Sequence, residues 1–156
     1  MTTRELETVG PDETEALGRA LGRTAQGGEL LGLVGELGAG KTCLVRGLAA
    51  GIGADADEVH SPTFITATEY LGGRLPLHHI DLYRLEGALG DALFLREVLY
   101  GEGVAAVEWF ERLLPVAGDE FLQVSLRYGA GDRRSIHLTA HGSRHERWLA
   151  AALGSV

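Results

Sequence analysis

The apolar and polar positions along the chain divide it into short, well-punctuated elements. The spacing of Ala16, Leu17, Ala20 and Leu21 predicts an amphipathic helix. Pro11 suits its first turn, Asp12 and Glu13 suit the positive end of its dipole, and Gly27-Gly28 stops it. The unbroken apolar run ELLGLVG reads as a buried strand, and KTCLVRGLAAG reads as a helix ending near Gly51. TFITATEYL is β-rich and alternating. RLPLHHIDLYRL alternates too, which puts Leu75, Leu77, His79, Asp81 and Tyr83 on one face. A helix is expected over Gly87–Gly101, then a buried strand in GVAAVEW. EFLQVSLRY and RSIHLTA predict a hairpin closed by GAGD. Ser143 with Glu146 has the capping-box spacing ahead of a last helix carrying Trp148, Leu149, Ala152 and Leu153.

The order is helix, strand, helix, then mostly strands, then a helix. It predicts an α/β, P-loop NTPase-like, three-layer domain. Its central sheet is mixed, parallel near the glycine-rich turn and antiparallel toward the C-terminus, with flanking helices. The 156 residues suit one domain, 1–156, and no repeat, linker or low-complexity tail interrupts them.

Composition narrows the function. The hydrophobic fraction is 45% and the charged fraction 23%, with 23 glycines, so the chain is globular and turn-rich. A net charge of −8 repels polyphosphate, so any RNA is expected to be held by a partner. MTTRELETVG has no apolar core and does not read as a signal peptide. No apolar run approaches the ~18 residues of a membrane span, so a cytoplasmic protein is expected. Cys43 is the single cysteine, read as a small buried hydrophobe in a reducing compartment.

GELGAGKT fits the phosphate-binding pattern G-x-x-x-x-G-K-[ST] letter for letter, between a strand and a helix. The nucleotide-binding residues are Gly35, Glu36, Leu37, Gly38, Ala39, Gly40, Lys41, Thr42 and Cys43. The glycines let the backbone curl around phosphate with its N–H groups pointing inward. Lys41 reaches the β and γ phosphates, and Thr42 offers a hydroxyl to Mg²⁺. Lys41 is the one lysine in a chain with 13 arginines. A compact ammonium on a thin stem suits a closed loop that a planar guanidinium would crowd.

Such a site also needs an acid near Mg²⁺. Glu108 ends the apolar run GVAAV, and Asp81 ends an alternating strand. Thr42 and one of these acids are expected to hold the metal while the other orients the attacking water. Thr63, in SPTF, is either a γ-phosphate-sensing switch residue or part of a plain strand-entry turn. Trp109 is a core aromatic or a wall of the nucleotide pocket, and its position alone favours core. His78 and His79 point to opposite faces of a strand, which argues against zinc. GTP is disfavoured: the chain has no asparagine, no D-x-x-G, and no second lysine for a guanine-reading motif. A small-molecule kinase is the alternative, although Arg133-Arg134 is the only adjacent basic pair and no lid-sized insertion appears.

Together, GELGAGKT, Arg46-Gly47, SPTF, Glu69-Tyr70, HIDLYRL from His79, and VEW at Val107–Trp109 resemble the TsaE (YjeE) family. Glu13, Thr14, Leu17 and Gly18 match as well, as does the late R.I.L.A.G from Arg134. The resemblance spans nearly the whole chain. It implies a small Mg²⁺-dependent ATPase needed to make threonylcarbamoyladenosine in tRNAs reading codons that start with A. Such a protein binds a TsaB–TsaD assembly and supports its turnover by hydrolysing ATP, with tRNA reached only through the complex. The resemblance also implies that Lys41 and Thr42 handle phosphate and Mg²⁺, and that Glu108 is the Walker-B-like acid. It puts Asp81 at the active site, Thr63 in a switch loop, and Trp109 and Arg134 against the nucleotide. Two departures stand out: Cys43 where the family usually has Thr, and Phe110 where Pro is common after EW.

Overall fold

In the computed structural model, residues 1–36, 38–59, 67–82, 101–112 and 118–154 are described. Leu37, the SPTF segment with Thr63, and nearly all of the helix expected over Gly87–Gly101 lie outside them. The described elements are β1 (Thr2–Thr8), α1 (Pro11–Thr24), β2 (Leu30–Gly35), α2 (Lys41–Ile52), β3 (Ala67–Tyr70), β4 (Leu77–Asp81), β5 (Val104–Glu108), β6 (Phe121–Tyr128), β7 (Arg134–His141) and α3 (Ser143–Gly154). Short 3₁₀ turns cover Ala56–Glu58 and Phe110–Arg112.

The seven strands form one sheet in the order β1-β7-β6-β2-β5-β4-β3. β4, β5, β2 and β6 run parallel, and the pairs β1/β7, β6/β7 and β3/β4 are antiparallel. The fold is therefore α/β with a mixed sheet, as the patterning predicts. β1 was not expected. Its sequence, TTRELET, turns Thr2, Leu6 and Thr8 inward and leaves its charges in water, so with Leu6 the one apolar residue among them the edge strand carries almost no apolar alternation.

Alternation sorts the core into two clusters. Leu31, Leu33, Leu77, Val104, Ala106, Leu122, Val124 and Leu138 face α1, α2 and α3. Leu30, Ile80, Ala105, Val107 and Phe121 face the other way, around Phe110. Phe110, the departure from the family's proline, is fully buried and lies edge-on to Phe121 at 4.9 Å. It occupies the room left by Gly32, where a Cβ would collide with its ring.

The tightest packing is between α1 and α2. A Cβ on Gly18 would run into the carbonyl of Leu44, and one on Gly22 into that of Leu48. Reciprocally, Gly47 abuts the carbonyl of Glu15 and Gly51 that of Arg19. Two Gly-x-x-x-Gly pairs thus bring the helix backbones into direct contact. Gly51 belongs to this crossing, and the helix ends one residue beyond it, close to where the sequence pattern puts its end. α2 runs on to Ile52 and is closed by Gly53, left-handed at φ 95°. α1 ends at Thr24, where Arg74 donates to the carbonyls of Ala25 and Gly22, each at 2.9 Å.

At α3 the capping box is not formed. Glu146 accepts from the Met1 α-ammonium at 2.7 Å and from the Thr2 hydroxyl at 3.3 Å, tying β1 to α3. His145 is buried on the same helix, and its Nε2 accepts the Leu30 N–H at 3.0 Å. Burial pushes its pKa below the ordinary value, against the pull of Glu29 and Glu120.

In an open helix, Gly→Ala stabilises by about 1 kcal/mol. At Gly18 or Gly47 we expect the opposite sign, a loss of about 1–3 kcal/mol from overpacking, read as a lower urea midpoint. For His145, a folded pKa below the unfolded one means the unfolded chain binds more protons on acidification. Stability should therefore fall as pH drops below about 6.5. The slope should be shallower in His145→Gln, as measured by urea titration at several pH values.

Candidate functional site

The parallel strands end at one edge of the sheet. β2 delivers Gly35 there, β4 Asp81, β5 Glu108 and β6 Tyr128, with Asp81 and Glu108 paired in register. α2 starts at the same edge. Ligands of open α/β sheets bind outside such carboxyl ends.

The loop from Gly35 to Gly40 is shaped by backbone that side chains disfavour. Gly38 has φ 78° and Gly40 φ 108°. A Cβ on Gly38 would stand 2.8 Å from the Tyr128 hydroxyl, so the end of β6 overhangs the loop. Gly40 is the N-cap of α2 and provides no side-chain cap, so the helix's first N–H groups keep their capacity for an anion. Ala39 is buried and Thr42 half-buried, while Glu36 is exposed at the loop's start.

Lys41 is 4% exposed. Its Nζ donates to the Gly35 carbonyl at 2.6 Å and lies 3.9 Å over the Trp109 ring. Burial pushes its pKa below the ordinary value, opposed by the carboxylates of Glu108, Glu111 and Asp81. The ammonium makes one hydrogen bond among the described residues, to its own loop, although three carboxylates share its field. Trp109 is held at φ 60°, the one non-glycine residue with positive φ among those described. Such a backbone costs on the order of 1–3 kcal/mol and is retained where surrounding structure imposes it.

Glu108 is 3% exposed, and its Oε2 lies 2.5 Å from His79 Nε2. Asp81 is half-buried on the neighbouring strand. The structure thus gathers Gly35, Lys41, Asp81, Glu108 and Trp109 at one place. Arg134 and Cys43 stand apart from them, lining a cleft of about 180 Å³ with Pro11, Thr14, Gly38 and Gly40. Arg134 lies 4.7 Å over the Tyr128 ring. The Cys43 thiol donates to the Pro11 carbonyl at 3.1 Å, and burial pushes its pKa up, so it is held as the protonated thiol. A larger cavity of about 770 Å³ opens between Trp109, Glu36, Glu111, Ser125 and Arg127.

The donor set fits a nucleotide triphosphate with Mg²⁺: a glycine cradle, a desolvated ammonium with donors to spare, a threonine hydroxyl and two strand-end acids. Sequence reasoning missed His79, Glu111 and Tyr128. His79 had a usable signal, since alternation puts it on the face of Asp81. Glu111 sits in a turn with no pattern, and Tyr128 looked like an ordinary strand end.

The family model described as Threonylcarbamoyl adenosine biosynthesis protein TsaE matches residues 8–136. The chain is similar to the tRNA threonylcarbamoyladenosine biosynthesis protein TsaE of Bacillus subtilis, 42% identical over 139 residues, covering 89% of this chain and 87% of that one. It is also similar to the Streptomyces coelicolor protein of the same description, 39% identical over 140 residues, covering 86% and 93%. Among solved structures, the crystal structure of Bacillus subtilis YdiB superposes with a TM-score of 0.83 at 34% identity, covering 99% of this chain and 96% of that one.

Proposed function

The chain belongs to the TsaE family, and from that premise and the site's chemistry we propose that it is a Mg²⁺-dependent ATPase serving tRNA threonylcarbamoyladenosine biosynthesis. The observation that carries this reading is the buried Lys41 ammonium at the mouth of the glycine loop, within the field of Asp81, Glu108 and Glu111. The N–H groups of residues 36–42 and the α2 N-terminus would hold the phosphates. Lys41 would exchange the Gly35 carbonyl for phosphate oxygens. Thr42 and Glu108 would hold Mg²⁺, which supplies charge neutralisation across the β and γ phosphates when bound. Asp81 would orient the attacking water, and the nucleoside would lie toward Cys43, Pro11 and Arg134. Thr63 would sense the γ-phosphate.

The net charge of −8 supports an indirect relation to tRNA. In this reading TsaB and TsaD hold the tRNA, and hydrolysis here drives their turnover in the cytoplasm. Among the described residues no helix is long and apolar enough to cross a membrane. The alternative, a small-molecule kinase, draws support from the 770 Å³ cavity beside Trp109, which has room for an acceptor.

Steady-state ATP hydrolysis should be slow for the chain alone, rise with TsaB and TsaD, and vanish in Lys41→Ala. A rate indifferent to the partners sinks the coupled role, and a phosphorylated product in a metabolite screen favours the kinase. ATP binding should also shift Trp109 emission, because the ammonium leaves the indole face. The shift should be lost in Trp109→Phe, and an unchanged wild-type spectrum at saturating ATP would count against the swing of Lys41.

A further inference from the structure

His79 is fully buried on β4, beside Leu77 and Ala106 and with the Tyr70 ring 6.5 Å away. An imidazole in such surroundings is unfavourable unless its polar atoms are used. Its Nδ1 has no hydrogen-bond partner among the described residues. The contact between Nε2 and Glu108 Oε2 at 2.5 Å is therefore the ring's one polar anchor among them. A carboxylate oxygen accepts, so Nε2 carries the hydrogen and donates.

The register explains the reach. His79 is paired with Ala106, and Asp81 with Glu108. The ring thus starts two residues behind Glu108, on the same face of the adjacent strand. The small Ala106 opposite leaves room for it to lean forward along the sheet. Packing alone would be served by leucine, as at Leu77.

We propose that His79 is a positioning residue for the metal-binding acid: its Nε2–H fixes the Glu108 carboxylate through Oε2 and leaves Oε1 as the oxygen offered to Mg²⁺. This rests on the reading of Glu108 as that acid. An unanchored glutamate would sample several rotamers and lose entropy on meeting the metal. Outer partners of this kind typically change metal affinity by about 10–100-fold.

The test uses purified full-length variants and a fluorescent ADP analogue, titrated with and without Mg²⁺, together with urea unfolding of the nucleotide-free protein. His79→Phe keeps the volume and removes the donor. It should bind the analogue without Mg²⁺ within about twofold of wild type and lose about tenfold of the Mg²⁺-dependent gain. kcat for ATP should fall more than KM rises. His79→Gln, whose amide N–H reaches the Nε2 position, should keep most of the gain, and the shorter His79→Asn should lose it. That pair decides the matter if His79→Phe does not fold. In a Glu108→Gln background, His79→Phe should cause no further loss of the gain, and the two unfolding losses should be non-additive. Equal weakening with and without Mg²⁺, or additive losses, would make His79 a packing residue and overturn the proposal. A full Mg²⁺ gain in Glu108→Gln alone would instead remove the metal assignment of Glu108, and the proposal with it.

Discussion

The backbone contact between α1 and α2 is the constraint on which the rest depends. Gly18 and Gly22 on one helix, and Gly47 and Gly51 on the other, let each helix touch the other's carbonyls. α2 begins with Lys41, and α1 begins with Pro11, beside Cys43. The crossing therefore fixes the distance between the glycine loop and the N-terminus of α1. It also fixes the width of the cleft that Cys43 and Arg134 line. Any side chain at the crossing would push the loop away from the strand ends that carry its acids.

Those acids come from the parallel half of the sheet. A parallel register brings Asp81 and Glu108 side by side at the carboxyl edge, and β2 ends beside them at Gly35. The result is a buried cation in the field of three carboxylates, yet hydrogen-bonded to a carbonyl of its own loop. Desolvation lowers the Lys41 pKa there, and the attraction of the three carboxylates opposes it. The strained backbone of Trp109 belongs to the same arrangement, because it turns the chain after Glu108 so that the indole covers Lys41. On the far side of the sheet Phe110 fills the room above Gly32 and anchors that turn.

Much of this was legible in the sequence. Apolar runs marked β2 and β5, alternation marked β4, the GAGD turn marked the β6–β7 hairpin, and the glycine loop marked the edge where the candidate site lies. What escaped notice shares a physical cause. β1 is an edge strand whose inward positions are few and partly polar, so period-two alternation has little to act on. The glycine crossing of α1 and α2 has no signal in the patterning, because close backbone approach leaves no apolar mark. The capping-box spacing at Ser143 and Glu146 was misleading, since the carboxylate meets a more strongly charged donor in the Met1 ammonium. His79 was weighed only as a metal ligand, although its place one pair behind Asp81 and Glu108 depends on strand register, which single-strand periodicity does not carry.

The lone lysine has a reason in this geometry beyond lack of space. Asp81, Glu108 and Glu111 surround the ammonium electrostatically, and a guanidinium in their midst would present a fork matched to bidentate carboxylate pairing. Once clamped to Glu108 or Asp81, such a group would consume the acid and the cation together and leave neither for an anion or a metal. An ammonium is a point charge with rotatable donors. It can rest on the Gly35 carbonyl and the indole face while the carboxylates act at a distance. At the 13 other basic positions of the chain arginine serves. At position 41 the distinction between the two groups separates a site that holds its charges in readiness from one that would neutralise itself.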